Sequence, residues 1–373
     1  MNRTQKDLIL KDLKKKMVFL TGPRQVGKTW LAKEIAGLFP KSVYLNYDSN
    51  EDRKIINSES WLADTNLLIL DELHKMPGWK NYIKGVYDTR PEHMMILVTG
   101  SARLEAFRQS GDSLAGRYFR HRLLPFSPSE VAPDDFGSEL ERFMTRGGFP
   151  EPFLAESDME ADRWRMQYMD GLIRTDILDF DKIQDFKAIQ LVLDLLRSKV
   201  GSPISYKSIA EDVGISPNTV KKYIQIFESL YIVFRVSPFS KNIARSILKE
   251  PKIYFFDSGM VKGDEGLRFE NMVGVCLLKH IYAMVDYLGK PYSLDYLRTK
   301  DGLEVDFCLT HGDKPELMLE VKRSDSTPGK SILNFNERYH IPGVQLVLYL
   351  KHEKTEKGIE IRKGLDYLKS LRL

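Results

Sequence analysis

Gly22-Pro23-Arg24-Gln25-Val26-Gly27-Lys28-Thr29 spells G-x-x-x-x-G-K-T and follows directly on the apolar run Met17–Leu20. A strand that ends in such a loop and then opens a helix makes a cradle for phosphate. Its glycines permit backbone angles that turn successive N–H groups toward one anion. The helix expected over Thr29–Leu38 adds its positive dipole end. All eight loop residues, with Trp30 just beyond them, are therefore candidate nucleotide contacts. In this arrangement Lys28 reaches the β- and γ-phosphates of a nucleoside triphosphate, and the Thr29 hydroxyl ligates Mg2+.

Outward from the loop, short β-type runs alternate with helical stretches as far as about Leu124. The runs are Met17–Thr21, Val43–Tyr47, Leu67–Asp71, Ile96–Thr99 and Tyr118–Leu124. Such alternation predicts a parallel sheet covered by helices on both faces. Leu67-Leu68-Ile69-Leu70-Asp71-Glu72 ends an apolar strand in two acids, the form of a Walker B element. Asp71 would hold the Mg2+ shell, and Glu72 would polarise the attacking water as general base. The strand before Thr99-Gly100-Ser101 places a small polar residue where it can orient that water. Ser101 or Thr99 would be the sensor, with Ser101 preferred, and Ser101 also suits a helix N-cap. Arg117, immediately before Tyr118–Leu124, reads either as a finger acting on a neighbouring subunit's nucleotide or as a surface arginine. Gly147-Gly148-Phe149-Pro150 reads either as a stiff turn that closes over the base, with Pro150 in contact, or as a plain interdomain turn.

The order of these motifs resembles that of the AAA-type ATPases. It is closest to prokaryotic members joined to a C-terminal domain of unknown function, with winged-helix lids. The resemblance spans essentially the whole chain. It implies ATP and Mg2+ as cofactors and, counting the strands in chain order, a sheet ordered 5-1-4-3-2.

At 373 residues the chain predicts two or three domains, and its 42% hydrophobic and 29% charged composition fits a globular protein. A net charge of +4 is too mild to argue for nucleic acid by itself. The two cysteines, Cys276 and Cys308, read as reduced core thiols rather than a disulfide or metal framework. Lys14-Lys15-Lys16 reads as a solvated helix end rather than a nucleic-acid patch. The first apolar run is too short for a signal peptide or a membrane span, so the expected location is the cytoplasm, without a membrane partner.

Beyond a Pro- and Ser-rich exit at Pro125–Pro133 the spacing turns helical, from Leu140 to about Val200. Ile173, Ile177 and Phe180 carry that period, as do Ile189, Val192, Leu193 and Leu196. The stretch Pro203–Phe239 reads as helix (Ser205–Glu211), turn (Asp212–Ser216) and a second helix with Ser216 at its N-cap and Pro217 at its first position. The runs Tyr231–Val236 and Lys252–Phe256 complete a winged helix-turn-helix. Its second helix carries Asn218, Thr219, Lys221 and Lys222, which suit either DNA contact or a packing and lid role. The expected organisation is an ATPase domain over 1–135, a helical lid over 136–200, a winged helix over 201–260 and an α/β domain over 261–373.

In that last region Asp306 lies on one strand, and Glu320-Val321-Lys322 follows on the next, fourteen positions later. Residues two apart share a strand face, so Glu320 and Lys322 point together, and Asp306 joins them if the strands pair in register. Glu270, on the helix Phe269–Tyr282, can complete the cluster. The pattern resembles the PD-(D/E)xK nucleases and implies a restriction-endonuclease-like core. Asp306, Glu320 and Glu270 would bind Mg2+, and Lys322 would position water or stabilise charge on phosphate. A degenerate nuclease fold kept as a protein-interaction platform is the alternative. The candidate partners are thus ATP, DNA, a protein and a second copy of the chain.

Overall fold

The computed structural model describes residues 3–100, 114–131, 136–173, 185–240 and 250–371. It divides into two compact units, Met1–Leu124 and Pro125–Leu373.

The first unit is built on five parallel strands: β1 Met17–Thr21, β2 Ser42–Asn46, β3 Leu67–Asp71, β4 Met95–Thr99 and β5 Tyr118–Arg122. They lie in the order β2-β3-β4-β1-β5, the 5-1-4-3-2 order that the family resemblance implies. The near-continuous apolar runs of the inner strands follow from burial on both faces. Alternate residues divide between two cores. Met17, Phe19, Leu68, Leu70, Ile96 and Val98 pack with Trp79, Ile83 and Val86 of the helix Trp79–Thr89. Val18, Leu20, Leu67, Ile69 and Leu97 pack with Leu31, Ala32 and Ile35 of the helix Lys28–Ala36 and with Ile9 and Leu13 of the helix Lys6–Leu13. Burying each large aliphatic contributes about 2 kcal/mol, so the two layers hold the sheet that carries the loop.

The second unit begins with the helices Phe136–Thr145, Pro150–Leu154, Asp158–Gly171 and Phe186–Arg197. Of the residues expected to carry the helical period there, Ile177 and Phe180 lie outside the described residues. The helices Tyr206–Val213 and Pro217–Ser229 follow, then β6 Val233–Pro238 and β7 Lys252–Phe255. Ser216 caps the second of these helices, its Oγ accepting from Thr219 N at 3.1 Å. The strand expected from Tyr231 starts two residues later, because Tyr231 sits at φ +57° in a turn. The long helix Glu265–Leu288 outruns the expected Phe269–Tyr282, since Asp264 caps one end and Gly289, at φ +64°, the other. The remaining strands are β8 Tyr292–Arg298, β9 Glu304–His311, β10 Lys314–Lys322, β11 Gly343–Val347, β12 Lys354–Glu356 and β13 Ile359–Lys363.

These strands form one mixed sheet, β12-β13-β11-β10-β9-β8-β6-β7. The β6–β7 ribbon is thus continuous with the C-terminal sheet: β6 pairs in parallel with β8 at Ser237–Asp295 and Pro238–Tyr296. Asn271, on the long helix, clamps the ribbon further. Its side chain accepts from Phe255 N and donates to Phe255 O, both at 2.8 Å. The segments 136–200, 201–260 and 261–373 accordingly cluster together as one unit.

Candidate nucleotide site and C-terminal acidic centre

The glycine loop leaves β1 at the carboxyl edge of its sheet, where ligands bind in open α/β folds. Gly22 has φ +142°, and a Cβ there would stand 2.1 Å from Leu123 O, so only glycine fits this approach. Gln25 and Gly27 also adopt positive φ, +57° and +95°, and Gly27 is the N-cap of the helix Lys28–Ala36. Lys28 is folded back into the cradle, its Nζ donating to Gly22 O at 3.0 Å and to Pro23 O. Burial lowers its pKa to about 8, against the opposing charges of Glu72 and Asp71. The loop is pinned from behind by Arg3, whose guanidinium donates to Val26 O and, at 3.0 Å, to Leu124 O.

Asp71 ends β3 and is buried. Its Oδ2 accepts from Thr29 Oγ1 at 2.9 Å and from Tyr44 OH at 2.6 Å, and its Oδ1 accepts from Thr99 Oγ1. The structure therefore brings the two Mg2+ candidates, Thr29 and Asp71, into direct contact. A hydroxyl and a carboxylate side by side, next to the glycine loop, form the oxygen donor set that Mg2+ takes beside a triphosphate. Tyr44 was not among the expected site residues, whereas Thr99 was the alternative to Ser101 as sensor and here donates to Asp71. Tyr44 lies on a half-buried strand, and its lateral position beside β3 follows from the sheet order, which motif spacing does not encode. Burial, and then the hydrogen bond to Asp71, holds the Tyr44 phenol above its ordinary pKa.

Glu72 follows at φ +58°, which turns its side chain away from the line of β3. It lies 3.2 Å from Lys75 Nζ, and Lys75 is also 2.5 Å from Asp48. Burial pulls the Lys75 ammonium down, but Asp48 and Glu72 outweigh it and keep it charged. Trp30 is 56% exposed on the first turn of its helix. Ser101 lies outside the described residues.

Arg117 precedes β5, which runs parallel to β1 with Met17 opposite Tyr118 and Thr21 opposite Arg122. The arginine thus stands at the amino edge of the sheet, and the glycine loop at the carboxyl edge. It is paired with Asp88 through Nε at 2.8 Å and Nη2 at 3.1 Å. Pro150 belongs to the second unit, at the first position of the helix Pro150–Leu154. The glycines before it serve close packing there. A Cβ on Gly148 would stand 2.5 Å from Phe126 O, and one on Gly147 would stand 1.8 Å from Asp257 Oδ1.

In the C-terminal sheet β9 and β10 are antiparallel, with Cys308 opposite Met318 and Phe307 opposite Leu319. Continued, this register sets Asp306 opposite Glu320, and Asp306 Oδ2 accepts from Val321 N at 2.9 Å. Glu320 is buried, which raises its pKa, and it pairs with Lys322 at 2.7 Å. Asp306 and Glu270 meet elsewhere, around the fully buried Lys252 of β7. Lys252 Nζ lies 2.8 Å from Glu304, 3.2 Å from Asp306 and 3.8 Å from Glu270, and Tyr254 OH donates to Glu270 at 2.7 Å. Burial pulls the Lys252 ammonium down, but Asp306, Glu270 and Glu304 hold it above the ordinary lysine value. Burial, and then the charge of Asp306, pushes the Glu270 carboxyl up to about 8. The expected grouping of Glu270, Asp306 and Glu320 into one metal centre is not what the side chains form. Among the described residues no three His, Cys, Asp or Glu side chains are arranged to hold a metal ion. Lys252 was not an expected site residue, although Glu304, two before Asp306 on the same strand face, was legible from the alternation.

Cys276 and Cys308 are both buried and free, and burial pushes each thiol up to about 12. No helix among the described residues is long and apolar enough to cross a membrane.

A glycine loop at the carboxyl edge of a 5-1-4-3-2 parallel sheet, facing a buried aspartate, defines a P-loop NTPase domain. Residues 14–132 match the family model described as AAA domain. Residues 137–267 and 265–364 match two further models, each described as a domain of unknown function (DUF8612 and DUF4143). An uncharacterized protein of Mycobacterium tuberculosis is 24% identical over 322 residues, covering 84% of this chain and 72% of that protein. An uncharacterized protein of Methanocaldococcus jannaschii is 23% identical over 351 residues, covering 84% of this chain and 76% of that protein. Among solved structures, the chain is similar to the Walker-type ATPase of Pyrococcus abyssi (13% identity, TM-score 0.44, 69% of this chain and 94% of that one). It is also similar to RuvB of Thermotoga maritima (17% identity, TM-score 0.32, 62% of this chain and 87% of that one).

Proposed function

We propose that the chain binds ATP at Gly22–Thr29 and hydrolyses it to ADP and phosphate. The observation that carries this reading is the contact between Thr29 and Asp71 beneath the glycine cradle. Those two residues would hold Mg2+, which supplies positive charge against the β- and γ-oxygens. Lys28 exchanges its bonds to the Gly22 and Pro23 carbonyls for the phosphate oxygens. Glu72, once released from Lys75, takes the proton of the attacking water. Ser101 orients that water. Arg117, at the sheet edge opposite its own loop, acts on the nucleotide of a second copy after leaving Asp88.

The test is ATP turnover in wild type and Lys28→Ala. Turnover is expected to vanish in the variant, and normal hydrolysis there refutes the assignment.

A second reading concerns the other unit. The proposed nucleotide cycle drives a C-terminal region that acts as an interaction platform rather than a nuclease with Mg2+ on Glu270, Asp306 and Glu320 and water positioned by Lys322. The favouring observation is Lys252, whose ammonium sits among the acids. DNA is the candidate ligand of the helix Pro217–Ser229, where Asn218, Lys221 and Lys222 are exposed. Supercoiled and linear DNA incubated with Mg2+ or Mn2+, with and without ATP, separates these possibilities. Nicking lost in Asp306→Ala but kept in Lys28→Ala sinks the platform reading. DNA that is not cut but stimulates ATP turnover supports the DNA-binding form of it.

A further inference from the structure

We propose that Lys252 is a tethered counter-cation: its ammonium takes the place of a divalent cation in the C-terminal acidic centre and so latches the β6–β7 ribbon to the sheet. Glu304, Asp306 and Glu270 come from two different elements, β9 and the helix Glu265–Leu288, yet an oxygen of each lies within 3.8 Å of one point. That point is Nζ of a side chain with no solvent exposure. The three carboxylates keep 25%, 18% and 14% exposure in the same order, so solvent reaches the cluster from their side. A hard cation such as Mg2+ or Mn2+ selects this donor chemistry; it carries two charges where the ammonium carries one and draws oxygens in to about 2.1 Å. A lysine stem buried along its whole length pays its desolvation only because the carboxylates converge on its head. Removing the head leaves the three carboxylates mutually repelling.

The lysine belongs to β7, at the end of the ribbon. The same ribbon is held by Asn271 through Phe255 and by β6 through β8. The charge contact is thus one attachment among several, and it is the one that would compete with metal. Withdrawal of the strand would vacate the centre, whereas a free cation cannot enter while Lys252 remains.

The experiment is Mn2+ titration of the full chain without nucleotide, read by the electron paramagnetic resonance of free Mn2+. Every protein carries Asp71→Asn so that the P-loop carboxylate does not contribute. The Lys252→Met chain is expected to bind one Mn2+ at least about tenfold more tightly than its Lys252 parent, the scale of one lost competing charge in a half-buried site. Adding Asp306→Asn should abolish the gain. Mn2+ should also raise the melting temperature of Lys252→Met and leave that of the parent unchanged. Equal binding by a folded Lys252→Met chain and its parent overturns the proposal. So does tight binding by the parent that disappears with Asp306→Asn. If Lys252→Met does not fold without metal, Lys252→Met/Glu304→Gln, which removes one acid together with the ammonium, is titrated against Glu304→Gln with the same expectations.

Discussion

At the scale of single residues, the loop lysine is the most informative group. Its folded-state pKa of about 8 lies below the ordinary 10.5, because burial disfavours the charge. Between those values the unfolded chain holds a proton that the nucleotide-free fold has released. Stability of the first unit therefore rises as pH climbs from about 8 to 10.5, and the full penalty is felt below that window. Phosphate oxygens around Nζ reverse the preference. Nucleotide binding at pH 9 should thus take up about 0.9 proton through Lys28, seen as a dependence of the calorimetric enthalpy on the buffer's ionisation heat. Lys28→Met removes the uptake, and an unchanged buffer dependence in that variant would mean the proton goes elsewhere.

At the scale of elements, the segment after β5 is gripped by a charge pair with almost no solvent. Lys279 of the helix Glu265–Leu288 donates to Glu130 and, at 3.1 Å, to Pro125 O, and Glu130 also accepts from Ser127 N at 3.1 Å. Breaking one side of such a pair strands the other charge. Lys279→Met should cost about 3–5 kcal/mol, while Lys279→Met/Glu130→Met should recover most of it. Urea unfolding of the four chains, wild type included, checks the cycle. Equal losses in the single and double variants would contradict it. Neither partner is legible in sequence, because Glu130 reads as part of a polar turn and Lys279 as one polar break in an apolar helix. The same limit hid Lys252, 54 positions from Asp306. By contrast β1 and β3 fall where the runs Met17–Thr21 and Leu67–Asp71 place them, since strands buried on both faces are written as unbroken apolar stretches. Strands β12 and β13 escape that signal because they are short and carry charged residues on their open face.

Across the whole molecule, Arg117 and the glycine loop occupy opposite edges of the sheet, so the proposed finger role requires a second chain. Arg117→Ala should keep nucleotide affinity and lower turnover by about 10³-fold, and wild-type specific activity should rise with protein concentration. Activity independent of concentration, with normal turnover in the variant, would leave Arg117 to its pairing with Asp88. The mixed sheet of the second unit carries a different consequence. A fragment begun after residue 260 would strip β6 from β8 and bare the backbone groups of Ser237 and Pro238's partners, Asp295 and Tyr296. Exposed strand rims recruit other chains. Such a truncation should precipitate or self-associate, whereas a cut at Pro125, before the first of these helices, keeps every rung of that ladder.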